Sequence, residues 1–348
     1  MMTLKYAHIA IFSQGPSRVA AYSAAVAFLV CASYAIALSA SGQPDVTIFV
    51  PGIIPTSAPS SAAPAFTPDG NTVYFGQSSG GSSNSIVFSQ RSGDQWSVPK
   101  TASFSGQYRD LEPAFAPDGK YLIFASNRPT TPNGAPLDGH YDGQVFPGGG
   151  GNLWKIRLTK KGWQKTEPLP AAINSNDAVF GPAVAADGSL YFMRAENGGK
   201  FHIYRAQMKH GKFETPVLAS FSDADHGECN PAVAPDESYL IFCSGRRPAP
   251  HAEDLFIVFG NSIDLPSARP PAPHTADLFI VFRVANGWGE LIDLRSALSD
   301  NVYGFEPRLS PDGKTLYFSN SRNASGVDER YIWSVDLTGL LKAHGVGK

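Results

Sequence analysis

Five segments of this sequence are variants of one another: Pro64–Phe75 (PAFTPDGNTVYF), Pro113–Phe124 (PAFAPDGKYLIF), Pro182–Phe192 (PAVAADGSLYF), Pro231–Phe242 (PAVAPDESYLIF) and Pro307–Phe318 (PRLSPDGKTLYF). Each reads as a short strand, a tight turn and a second strand rich in β-branched and aromatic residues. The central Pro-Asp-Gly has a mechanical role: Pro presets φ, Asp bonds the backbone just after it, and Gly accepts positive φ. These residues build a turn and carry no chemistry.

An alternating strand follows each hairpin, at Ser85–Gln90, Asn152–Leu158, His202–Met208, Asp277–Arg283 and Tyr331–Leu337. A fourth strand follows in the first four units, marked by Trp96, Trp163, Phe213 and Trp288, which precede the next turn Asp by 22, 24, 23 and 24 residues. Loops alone would not keep that regularity, so the unit is a four-stranded blade. The turn residues Asp69, Asp118, Asp187, Asp236 and Asp312 are 49, 69, 49 and 76 residues apart, and the two long intervals contain insertions. The first is the Gly/Pro-rich stretch Pro129–Gly151. The second is a tandem copy in which PAPHAEDLFIVF (Pro248–Phe259) recurs as PAPHTADLFIVF (Pro271–Phe282), and the second copy, leading straight to Trp288, is the better blade strand.

Periods of 40 to 50 residues with four strands each define a β-propeller. The fold expected is therefore all-β: a single β-propeller of four-stranded antiparallel blades, five in number, with six as the alternative if the duplicated segment recruits further strands. The last unit has no fourth strand of its own, whereas Val46–Val50 precedes the first unit unpaired. That N-terminal strand is expected to complete the last blade and close the ring. The hairpin motif, followed by Ser126-Asn127-Arg128, Ser244-Gly245-Arg246 and Asn320-Ser321-Arg322, resembles the TolB-type, WD40-like β-propeller repeat of bacterial exported proteins. The resemblance covers nearly all of the chain after residue 46 and implies a periplasmic or surface-associated binding or scaffold protein.

Residues 1–40 read as a signal peptide or signal anchor, 41–340 as the propeller and 341–348 as a C-terminal tail. Lys5 and Arg18 precede an uncharged run from Val19 to Leu38, and both readings export the remainder of the chain. A periplasmic or secreted location is expected, with membrane contact only through an uncleaved anchor. The chain carries 28 Lys and Arg against 30 Asp and Glu, a net charge of −2, so there is no basic excess for nucleic acid.

In a propeller the loop joining second and third strands shares a face with the loop entering the next blade, and both insertions lie on that face. Tyr108, Asp110, Glu112, His226, Glu228, Tyr303 and Glu306 precede first strands there, and Arg128, Arg246 and Arg322 each lie four residues after the hairpin's closing Phe. Two readings stay open. The residues form a ring that binds a protein, peptide or cell-envelope glycan, or each Glu pairs with an Arg to satisfy charge where strands end. No cofactor is predicted, although Asp223, Asp225, His226 and Glu228, Asp138, His140 and Asp142, and His251, Glu253 and Asp254 are oxygen-rich groupings that could take a divalent cation.

The turn at Asp236-Glu237 places Cys229 opposite Cys243, as it places Leu111 opposite Ala125 and Phe305 opposite Ser319 in other blades. In an oxidising compartment those two cysteines could be joined, and as buried thiols they would also pack. Gly76-Gln77-Ser78-Ser79-Gly80 matches the letters of a nucleophile elbow but precedes a Gly/Ser-rich loop where a helix is required. The function expected is non-catalytic binding on the insertion-bearing face. The alternative is a carbohydrate-active or other hydrolase using mouth carboxylates. Carboxylates that converge without partners favour the hydrolase; arginine-paired ones favour the binding module.

Overall fold

The computed structural model describes residues 44–49, 61–78, 84–131, 133–223, 225–246, 277–299, 302–321 and 330–347. The hairpins become the first two strands of five antiparallel sheets arranged in a ring, a five-bladed β-propeller. The innermost strands are Ser61–Phe66, Asp110–Phe115, Val179–Val184, Glu228–Val233 and Phe305–Leu309, and each packs beside the next until the fifth meets the first. Closure occurs through the N-terminal strand Thr47–Ile48, which pairs antiparallel with Arg330–Asp336 of the last blade, Thr47 opposite Ser334 and Ile48 opposite Trp333. Phe49 then packs its ring 4.9 Å from that of Tyr317 in blade five and 5.5 Å from that of Phe66 in blade one.

The turns behave as their chemistry requires. Each turn aspartate accepts a hydrogen bond from the backbone N–H two residues on, at Asn71, Lys120, Ser189, Ser238 and Lys314. The next residue has φ between 69° and 87° at Gly70, Gly119, Gly188 and Gly313; in blade four Glu237 takes the same left-handed conformation at φ 56°. The turns fix the register: Leu111 pairs with Ala125, Phe305 with Ser319, and Cys229 with Cys243, which a disulfide joins.

The copy Asp277–Val284 is the third strand of blade four, paired with Tyr239–Ser244. The earlier copy, with His251, Glu253 and Asp254, lies outside the described residues, as do the leader and Arg322. The fourth strands of blades one to three are short, at Lys100–Thr101, Glu167–Pro168 and Val217–Leu218. Trp96, Trp163 and Phe213, expected within them, sit instead in the tight hairpins that lead to them. The end of the chain is helical: Thr338–Ala343 crosses the expected boundary at 340, burying Leu341 and stacking His344 on Phe282. Among the described residues no helix is long and apolar enough to cross a membrane.

Every inner strand contains a register shift at the same place, the residue before its Pro. Those residues are Ala63, Glu112, Gly181, Asn230 and Glu306, and all five have φ between 47° and 60°. A left-handed bulge interrupts the two-residue alternation of a strand and re-aims the side chain it carries. Left-handed backbone is uncommon for residues other than Gly, and a Pro that follows restricts its predecessor further, so four of the five positions are strained. Three of these bulges meet directly, Glu112 bonding to Gly181 and to Asn230 across the ring of inner strands.

Candidate functional site

On the insertion-bearing face the charged residues are organised blade by blade. In blade two, Asp110 is fully buried and accepts hydrogen bonds from Ser105 Oγ (2.7 Å), Ser126 Oγ (2.7 Å) and Arg128 Nη2 (3.0 Å). In blade four, Glu228 occupies the equivalent position and accepts from Arg246, Ser222 Oγ and the Asp223 N–H, with His202 Nδ1 3.3 Å away. Burial pushes both carboxyls above the usual range, and the hydroxyls and arginines around them offset only part of that shift. Asp277 pairs with Arg295 at 3.1 Å, and that guanidinium lies 4.9 Å over the ring of Tyr303.

The acids that meet these arginines are not the ones the repeat suggested. Glu112 and Glu306 stand at the bulge, and the bulge turns them off the face that Asp110 and Glu228 occupy. Glu112 instead reaches into the channel, where Oε2 accepts from the Gly181 N–H at 2.7 Å and Oε1 from Asn230 Nδ2 at 2.7 Å. It thereby ties blade two to blades three and four. Glu306 accepts from Ser319 Oγ at 3.0 Å. Arg109 and Arg308 face the same carboxylates electrostatically; burial pulls both guanidiniums below their usual value, and Glu112 and Glu306 offset part of that.

Of the groupings considered for a cation, Asp223 accepts from the side chain and N–H of His226, from Arg246 Nη2 at 3.1 Å and from the Asp225 N–H. Although partial burial pushes Asp223 up, these bonds more than offset it and hold the carboxyl below the usual range. Asp138 caps the Gly148 N–H, His140 meets Asp177 at 2.7 Å, and Asp142 is raised by burial. Among the described residues no three His, Cys, Asp or Glu side chains gather as metal ligands.

The first insertion is not a projecting loop. Its hairpin, Gly139–Tyr141 with Gln144–Phe146, hydrogen-bonds through the Asp142 and Gly143 N–H groups to Gly199 and Gly198 of blade three. Tyr141 is buried against Phe146, Phe180 and Phe201, its hydroxyl pushed up to about 12 by burial, and Gly149 O accepts from Arg109 Nη1 at 3.5 Å. The insertion therefore packs down over blades two and three. What it leaves accessible is a cleft of about 470 Å³ beside blade two, lined by Gln107, Tyr108, Arg128, Trp154, Trp163 and Gln164 among others. Arg128 lies 5.5 Å over Tyr108 and 5.9 Å over Trp154, while Trp154 Nε1 and Arg128 Nε are buried without a hydrogen-bond partner among the described residues.

Tyr108 and Arg128 of this cleft are site residues expected from the sequence; Trp154, Trp163 and the channel pair Arg109 and Arg308 are not. Arg308 carried a readable signal: it stands where the other four repeats have Ala65, Ala114, Ala183 and Ala232.

No protein-family model and no curated protein matches the sequence. Solved structures with a similar fold include TolB from Acinetobacter baumannii, at 14% identity and a TM-score of 0.43, covering 80% of this chain and 54% of that one. The catalytic domain of an α-L-arabinofuranosidase from Coprinopsis cinerea is similar at 13% identity and a TM-score of 0.48, covering 85% of this chain and 97% of that one. A Trypanosoma rangeli sialidase is similar at 13% identity and a TM-score of 0.41, covering 82% and 56%. The chain thus spans about half the length of the TolB and sialidase chains, and these likenesses assign it no activity.

Proposed function

We propose that this chain is an exported, non-catalytic TolB-type propeller that binds a protein, peptide or glycan on its insertion-bearing face. The observation that carries the reading is the pairing of the carboxylates at the mouth and in the channel: Asp110 is held by Arg128, Glu228 by Arg246 and, in the channel, Glu112 by Gly181 and Asn230. A hydrolase needs carboxyls that can give and take protons at a substrate. Acids saturated by internal donors serve a rigid platform instead. The cleft beside blade two supplies the surface, since Tyr108 and Trp163 offer flat apolar faces and Gln107 and Gln164 offer amide donors and acceptors.

A thermal-shift screen of the full chain against oligosaccharides, peptidoglycan fragments, calcium and zinc tests this, with chromatography of each mixture for cleavage products. The expected result is a stabilising ligand recovered intact, whose shift is lost in Tyr108→Ala and Gln107→Ala. Cleavage products that vanish in Glu112→Gln or Glu306→Gln would establish the hydrolase instead.

A further inference from the structure

The channel opens on the opposite face as well, between the Pro-Asp-Gly turns, as a cup of about 310 Å³. Its walls are residues of all five inner strands, with Pro64, Phe66, Phe115, Val184, Val233 and Leu309 giving an apolar surface. One charged side chain lines it: Arg308, 5% exposed, at the position that is Ala in the other four blades. Arg308 Nη1 donates to Pro307 O at 2.9 Å, whereas Nε and Nη2 have no hydrogen-bond acceptor among the described residues.

A buried N–H without an acceptor is destabilising, and more so when the group is charged, so a position that four blades fill with Ala gains nothing structurally from this arginine. Nε and Nη2 form one edge of the guanidinium fork, whose two parallel N–H bonds match the oxygens of a carboxylate. In the channel Arg109 and Arg308 are balanced by Glu112 and Glu306, so a dianion such as phosphate is opposed more strongly than a monoanion. We propose that the cup binds a small organic monocarboxylate, with its oxygens on Arg308 Nε and Nη2 and its apolar body among the Ala and Pro side chains. Both atoms are buried in this structure, so the contact requires the Arg308 side chain to turn its guanidinium edge toward the cup. This site shares no lining residue with the cleft and does not rest on the function proposed above.

The experiment is a thermal-shift and calorimetric titration of the full chain with acetate, butanoate and hexanoate at pH 7 and constant ionic strength, up to about 10 mM. Hexanamide serves as the uncharged counterpart, and inorganic phosphate as the anion without an apolar body. Wild type should be stabilised in the order acetate, butanoate, hexanoate, with little response to hexanamide or phosphate. Arg308→Ala completes the ring of five alanines; it should melt at or above wild type without ligand and lose the hexanoate response. Arg308→Lys keeps the charge but not the fork, and should bind hexanoate at least about tenfold more weakly; if the Ala variant does not fold, this comparison decides. The proposal is overturned by no response to hexanoate, by an equal response to hexanamide or phosphate, or by an undiminished response in the variants.

Discussion

Thr47 and Ser334 are 287 residues apart in sequence and lie side by side in the last blade, their hydroxyls 3.2 Å from each other. This pairing makes a ring of what would otherwise be five sheets with two exposed ends, and it removes the edge of Arg330–Asp336 from solvent. Phe49 secures it by touching Phe66 and Trp96 of blade one and Tyr317 of blade five.

Phe49→Ala should therefore loosen the junction of first and last blades rather than one blade alone. Loss of a half-buried aromatic in three edge-to-face contacts is expected to cost about 2–3 kcal/mol, read as a lower denaturant midpoint. Hydrogen exchange should rise together in Arg330–Asp336 and Ser61–Phe66; a rise confined to one of them would show that closure does not depend on this ring.

The junction was legible in the sequence because it is an accounting of strands: one unit lacked a fourth strand and one strand lacked a unit. The registers of Cys229 with Cys243 and of Leu111 with Ala125 were legible because a two-strand turn dictates which residues face each other. The site was not. Strand alternation puts Asp110 and Glu112 on one face, and only the bulge at Glu112 separates them, sending Asp110 to Arg128 and Glu112 across the channel. That bulge falls on Ala, Glu, Gly, Asn and Glu in turn, so the bulged residue itself does not announce it; only the Pro that follows is constant. The contact between Glu112 and Asn230 exists only because the ring closes, and no local pattern encodes it.

The geometry of that contact permits an exchange of roles. Glu112→Gln and Asn230→Asp each place like groups against one another, two amides or two carboxylates, and each should destabilise by about 1–3 kcal/mol. In the double variant the Gln amide N–H donates to the Asp carboxylate while its carbonyl still accepts from the Gly181 N–H. Stability should recover by about 1 kcal/mol or more relative to the sum of the single losses. Simple additivity in urea unfolding would mean that the two side chains do not meet.

Asp110 gives a pH dependence whose sign is set by its environment. Burial holds its folded-state pKa above the usual value near 3.8, so the native state keeps the proton over a range where the unfolded chain has lost it. The stability contributed by this group is fully present below the unfolded value and is lost as pH rises through the folded one. Asp110→Asn cannot titrate and leaves all other groups unchanged. The stability of wild type minus that of the variant should therefore fall between pH 4 and pH 7 in urea titrations; a difference that grows over that range would show that Arg128, Ser105 and Ser126 outweigh burial.

Glu237 tests what the turn asks of its third residue. Four blades place Gly there, while Glu237 holds φ 56° and is clamped by Arg205, with Nε 2.8 Å from Oε1 and Nη2 3.0 Å from Oε2. Arg283 Nη2 adds a contact at 3.3 Å. Replacement by either Ala or Gly removes the same half-buried pairs, so both variants should lose stability, by about 1–2 kcal/mol. They differ only in backbone: Ala carries the left-handed penalty, and Gly escapes it but gains freedom in the unfolded chain. The first effect is the larger, so Glu237→Gly should be more stable than Glu237→Ala by about 0.5–1 kcal/mol. The reverse order in thermal or urea unfolding would show that the left-handed turn is not strained. The contacts with Arg205 and Arg283 would then account for a glutamate at this position.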